Sequence, residues 1–123
     1  MQISLDTINF KYVIEKYTDD GKVIISNTEY TSSLIVMPNY IAPWSVTNMK
    51  QLTYEACEEI IAQNPAVIIF GSGKESCFPS LEVTSRILQL NIGVEVMSTA
   101  AACRTYTILA AEGRNVAAAL ILP

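Results

Sequence analysis

The sequence predicts a single α/β domain over residues 1–123, built as three layers around a central mixed sheet, with an N-terminal antiparallel hairpin and a C-terminal β-α-β-α-β unit. Three observations point there. The first third is rich in aromatic and β-branched residues and is broken by a turn that closes on Asp20-Gly21. Two wholly apolar runs, Ala66 to Phe70 and Val116 to Leu122, read as strands covered on both faces. Between them lie two helical patterns and a further strand, and right-handed crossovers turn that succession into three parallel strands with helices packed on the sheet.

Taken in order, the first strand spans Phe10 to Tyr17 and carries Phe10, Tyr12, Val13, Ile14 and Tyr17; Lys22 to Ser26 returns beside it. A third strand runs through Tyr30 to Met37 and stops at Pro38. Pro38 to Val46 has no period and reads as a packed connection anchored by Trp44. Asn48 and Gln51 have capping-box spacing, and Met49, Leu52, Ala56 and Ile60 share one helical face that Asn64-Pro65 ends. Pro79 suits the first turn of a second helix carrying Leu81, Ile87, Leu88 and Leu90. Ile92 to Val96 is a strand. Ser98 or Thr99 caps a nearly all-apolar helix to about Glu112, Gly113 closes it, and Asn115 to Leu122 is the last strand.

Composition removes several functions. Half of the residues are hydrophobic and 16% are charged, which suits a filled core. A net charge of −4 with basic residues scattered singly argues against nucleic-acid binding. No segment reaches the ~20 apolar residues of a transmembrane helix, and the start, Met1 to Asp6, has neither the basic nor the long apolar region of a signal peptide. The expected place is the cytoplasm, or a mitochondrial matrix if a presequence is missing. Three cysteines without a CxxC pair imply reduced thiols. The absence of histidine removes Ser-His-Asp and Cys-His catalysis and His-ligated metals. No catalytic residue, metal site or cofactor is assigned; an enzyme of unrecognised type using Cys103 or Glu95 stays open as the lowest-ranked reading.

Two places carry chemistry. Gly71-Ser72-Gly73-Lys74 follows a buried strand, at the end of the sheet where α/β proteins bind ligands, and glycines with a lysine suit an anion cradle; Ser76 and Ile68 stand where the dinucleotide and Walker patterns need glycine. Glu95 and Arg104 lie inside the apolar stretch and are expected to form a buried ion pair, so that Arg104→Glu would strongly destabilise the fold. Arg104 alone would hold a phosphate or carboxylate in its planar fork. Cys103, early in the same helix, is a candidate reactive thiol; Thr99 and Tyr106 complete the set of ligand- or partner-binding candidates.

The stretch Gly93 to Ile121, with its Ala102-Cys103-Arg104-Thr105-Tyr106 centre, resembles a small family of mostly uncharacterised α/β proteins that includes the mitochondrial assembly factor 3 of respiratory complex I. The resemblance extends to Ile25 to Val36, Trp44 and Ile68 to Gly73. The family's usual Gly-Thr-Gly is here Gly71-Ser72-Gly73, and its Met-Asp-Thr is Met97-Ser98-Thr99, which removes an acidic role at position 98 while Ser98 still caps the helix. The resemblance implies a three-layer α/β fold, no established enzymatic activity, and partners that are proteins: respiratory-complex subunits or other assembly factors, with a homo-oligomer as a further possibility. The reading is a non-catalytic assembly or interaction protein; the alternative is a small anion- or metabolite-binding domain using Gly71, Ser72, Gly73, Lys74 and Arg104.

Overall fold

A computed structural model describes residues 10–123; the reading of Met1 to Asp6 lies outside them. The described residues form one mixed α/β domain with a five-stranded mixed sheet and a three-stranded antiparallel one. The chain runs β1 (Ile14–Tyr17), β2 (Val23–Ile25), β3 (Thr28–Tyr30), β4 (Leu34–Met37) and β5 (Tyr40–Pro43). Two 3-10 turns (Met49–Gln51 and Glu55–Cys57) and the short α1 (Glu58–Ala62) follow, then β6 (Val67–Gly71), α2 (Leu81–Leu88), β7 (Gly93–Met97), α3 (Thr99–Ala111) and β8 (Val116–Leu120). The large sheet has the order β5-β4-β8-β6-β7, and the small one β1-β2-β3.

The predicted β-α-β-α-β unit is present: β6 pairs in parallel with both β7 and β8, from Val67 opposite Gly93 and Val116. β4 runs antiparallel to β8 and makes the sheet mixed. The first half departs from expectation in two places. The single strand expected over Tyr30 to Met37 is split between two sheets. Ser26 and Asn27 both have positive φ (48° and 70°) and close a two-residue hairpin between β2 and β3, a turn that asparagine tolerates; the chain then leaves through Thr31 to Ser33 before β4 begins. The connection expected over Pro38 to Val46 contains β5, paired with β4 from Met37–Tyr40 to Leu34–Pro43. Pro43 is admissible there because β5 is an edge strand, where a missing N–H breaks no ladder.

The helix expected from Asn48 is broken. Asn48 accepts from the amide of Lys50 (2.9 Å), Leu52 turns extended (ψ 131°), and the Thr53 hydroxyl accepts from Ala56 (3.2 Å), so side chains restart the turn rather than let it continue. Met49, Leu52, Cys57 and Ile60 are buried all the same. α2 begins at Leu81, two residues after Pro79, with Ser80 as cap, and it buries Val83 and Ile87 while Leu81, Leu88 and the following Leu90 face outward. Ser98 caps α3, and Gly113 (φ 82°) closes it.

The large sheet separates two cores. On one face Trp44, Met49, Leu52, Cys57, Ile60, Val83 and Ile87 cover Ile35, Ile68, Phe70, Ala117 and Ala119, with the Trp44 ring 6.2 Å from Phe70. On the other, α3 lays Ala102, Cys103, Tyr106 and Ala110 against Val36, Ile69 and Ala118, and the small sheet closes over its flank with Ile14, Val23 and Ile25. Three successive alanines on central β8 (Ala117, Ala118 and Ala119) leave the space that Phe70 and Tyr106 fill from opposite sides.

Candidate functional site

The Gly71–Lys74 loop leaves β6 and meets the first turn of α3. Gly71 is required by close approach: a Cβ there would stand 3.0 Å from the Thr99 Cα and 3.1 Å from the Leu120 side chain. Gly73 is required by conformation, at φ 105°. Thr99, fully buried, ties the two segments together. Its hydroxyl accepts from the Gly73 amide (2.9 Å) and donates to the Ile121 carbonyl (2.8 Å), while its own amide donates to the Gly73 carbonyl (2.8 Å). The Ser72 hydroxyl donates to the Glu75 carbonyl (2.6 Å) and accepts from the Cys77 amide (3.0 Å), and the Ser72 amide donates to Met97 (2.8 Å). The Ser72 and Gly73 amides are thus committed within the protein, and the open cradle expected from the glycines is a closed, hydrogen-bonded corner.

Lys74 and Arg104 do line one cleft, of about 390 Å³, together with Tyr17, Thr18, Asp19 and Ala100, and both are exposed. Two elements supply the cations and the β1–β2 turn supplies the opposite wall.

The ion pair expected between Glu95 and Arg104 is corrected by the structure. Both residues are exposed, and among the described residues the one ion pair is Lys22–Asp20 (3.5 Å). β7 is the outermost strand, so Glu95, on the α3 side of the sheet beside Ile69, projects at an edge that α3 does not cover. A carboxylate needs no partner there, because water solvates it.

Cys103 is not positioned to react. It is buried against the sheet, and burial pushes its thiol up to about 12; Arg104 beside it pulls the other way but does not win. Cys57, buried on the opposite face, is likewise pushed up to about 12 by burial. Tyr106 is fully buried, and its hydroxyl donates to the Tyr12 carbonyl (2.8 Å), which pins the start of the small sheet to α3. Of the eight candidates, then, Lys74 and Arg104 share an open cleft bordered by Gly73, Ser72 lies in the adjoining loop, and Gly71, Thr99, Cys103 and Tyr106 build the frame beneath it.

What the sequence reading missed is an apolar surface. Phe78 (71% exposed), Leu81 (79%), Leu88 (52%) and Leu90 (48%) lie on α2 and its flanks. Leu81 and Leu88 are seven residues apart, two turns on one side of the helix, whereas the buried pair Val83 and Ile87 has the i, i+4 spacing of the core side. That spacing was the available signal.

The fold and this corner define a class: a small three-layer α/β domain whose polar loop is locked to a following apolar helix. The chain belongs to the family of proteins of unknown function DUF498/DUF598, whose model matches residues 14–121, a small family of mostly uncharacterised proteins that includes complex I assembly factor 3. Among curated relatives it is 28% identical over 103 residues to the "13 kDa major membrane protein" of Francisella tularensis, covering 82% of this chain and 84% of that one. It is also 32% identical over 113 residues to the zebrafish (Danio rerio) NADH dehydrogenase (ubiquinone) 1 alpha subcomplex assembly factor 3, covering 90% of this chain and 64% of the relative. Solved structures agree on the fold: a Bordetella parapertussis protein superposes with a TM-score of 0.86 at 28% identity over 94% of this chain and 98% of its own. A Xanthomonas campestris protein does so with 0.82 at 35% over 99% and 92%. Among the described residues no helix is long and apolar enough to cross a membrane.

Proposed function

We propose that this chain is a non-catalytic assembly or interaction protein that binds a protein partner through α2 and the open edge of β7. The observation that carries the reading is the uncovered apolar strip Phe78, Leu81, Leu88 and Leu90 beside an unpaired strand edge. The rotation of α2 aims that strip. The Arg86 guanidinium lies 3.8 Å over the Tyr54 ring, which fixes one flank of α2. Leu81 and Leu88 therefore take the opposite flank of a helix that packs on the edge strand β7.

A partner strand added to β7 would satisfy its free backbone groups and seat apolar side chains on this strip, the mode of β-augmentation. Glu95 marks the middle of the edge with an unpaired negative charge, so the matching strand carries a lysine or arginine there. A second copy paired at the same register would set Glu95 against Glu95, which favours a different protein over a homo-oligomer at this edge. The assembly-factor names among the relatives support partners drawn from respiratory-complex subunits or other assembly factors; the location we propose is the cytoplasm or, for a chain preceded by a presequence, the mitochondrial matrix. The membrane-protein name of the Francisella relative supports a partner held at a membrane.

The test compares the tagged protein with a Leu81→Asp/Leu88→Asp variant, each recovered from detergent-solubilised membranes of the native cell and scored by quantitative mass spectrometry. Respiratory-complex subunits should co-purify with the first and be lost with the second, both melting alike because the two leucines are exposed. Equal recovery with both would remove α2 as the interface; recovery with neither would overturn the assembly reading.

One observation favours a second reading. Lys74 and Arg104, from separate elements, face one cleft beside the first turn of α3, which suits a carboxylate or phosphate.

A further inference from the structure

We infer that the cationic cleft is the head-group end of a longer site, and that its ligand is a single-chain amphiphile with an anionic head, a fatty carboxylate or an alkyl phosphate. The inference rests on the anion-binding reading just given. A second trough, of about 440 Å³, runs between β1 and α3 and adjoins the cationic cleft, with which it shares Tyr17, Ala100 and Arg104. Beyond Arg104 its walls are mainly apolar: Ile14 from β1, and Cys103 and Ile108 from α3.

The sequence of α3 says why this trough is open. A helix apolar on nearly every side belongs under cover all round. The large sheet covers one side of α3 and the small sheet a second. The strip Ala100, Arg104 and Ile108, spaced four residues apart, is left between them, and Ile108 stands 59% exposed in the last turn of an apolar helix. From Ala100 to Ile108 the trough is roughly 12 Å long at 1.5 Å per residue.

Its polarity is ordered along that length. At the start of α3, Lys74 and the Arg104 fork face the cleft, against one carboxylate, Asp19. At the far end stand Ile108 and Ile14, with Glu15 and Lys16 adjacent on β1 and opposite in sign. An anion small enough for the cleft would leave the apolar part wet; a neutral alkyl chain would leave the two cations unmatched. A ligand with both parts answers both.

The experiment titrates the isotope-labelled protein by NMR with butanoate, octanoate and decanoate below their micellar concentrations, with inorganic phosphate and acetate as heads without tails, and with 1-decanol as a tail without a head. Affinity should rise with chain length by up to roughly fourfold per methylene until the trough is filled. Shifts should spread from Gly73 and Ala100 to Ile108. Arg104→Gln should weaken the carboxylates tenfold or more and leave decanol unchanged; Ile108→Asp should abolish the chain-length dependence and spare phosphate. Both residues are exposed, so both variants should fold. Phosphate binding with no gain from chain length would overturn the amphiphile and leave the anion reading standing. Decanol binding as tightly as decanoate, or no binding of any probe, would overturn both.

Discussion

α3 and α2 pack on opposite faces of the same sheet, and they treat their side chains in opposite ways. α3 carries Thr99, Cys103 and Tyr106, and buries all three, with the Thr99 and Tyr106 hydroxyls hydrogen-bonded inside the fold. On α2 none of the polar residues is a site candidate, and the helix exposes Leu81 and Leu88 on the edge strand it packs against. The difference teaches that residue type nominates a site less well than the destination of each hydrogen bond and the side on which apolar surface remains uncovered. The first helix is the frame, and the second is the face offered outward.

If α3 is frame, breaking it should cost stability first. The largest effect is expected for Tyr106→Ala, which empties a fully buried ring site and leaves the Tyr12 carbonyl without its donor. A loss of about 3–5 kcal/mol is typical of such truncation, a large share of the ~5–15 kcal/mol that holds a domain together. Denaturant unfolding should show it, and a variant that unfolds like the parent would mean that α3 is not the spine. Thr99→Val comes next. It keeps the shape but orphans the Gly73 amide and the Ile121 carbonyl, each at about 1–3 kcal/mol. Thr99→Ser, which retains the hydroxyl, should recover most of that loss. Equal melting of the two variants would mean that the hydroxyl does not tie loop to helix.

The buried thiols give a smaller effect with a definite sign. Cys57 and Cys103 are both pushed up to about 12, whereas an unfolded thiol titrates near 8.5. Between those values the folded chain keeps protons that the unfolded chain releases, so stability is fully present below the unfolded value and falls as pH rises toward 12. Buried tyrosines, Tyr106 foremost, add in the same direction above about 10. Melting temperature should therefore decline from about pH 8.5 upward, and less steeply in Cys103→Ala. At pH 8 iodoacetamide should label Cys77, half-buried in its loop, well before the other two. Early labelling of Cys103 would restore it as a reactive thiol.

Much of this was legible along the chain, and what was not has a common cause. The parallel unit could be read because two of its strands are wholly apolar runs and each of its longer helices has a boundary signal: Pro79, Ser98 and, at the end, Gly113. The hairpin at Ser26-Asn27 was hidden because Ser26 carries a positive φ that serine seldom adopts, so Tyr30 to Met37 looked like one strand. The Gly71–Lys74 loop was found, but its purpose was inverted. Glycines that let amides turn outward also let a strand pack so close to a helix that a side chain would not fit, and only the position of Thr99 decides between the two. The cleft of Lys74 and Arg104 needs Tyr17 and Thr18 from the far end of the chain, a juxtaposition that no local pattern encodes.

The smallest expected effect separates the sequence reading from the structure most cleanly. A buried Glu95–Arg104 pair would make Arg104→Glu severely destabilising, because two carboxylates would face each other away from water. With both residues exposed, and Glu95 on an edge strand that α3 does not cover, the substitution should change stability by no more than about 0.5 kcal/mol. What it should change is the cleft: reversing the charge beside Lys74 removes the cationic end of the trough. Arg104→Glu should therefore melt like the parent and fail to bind octanoate, and only a folded structure in which Arg104 sits on the surface predicts both at once. A collapse of the melting temperature would bring the ion pair back.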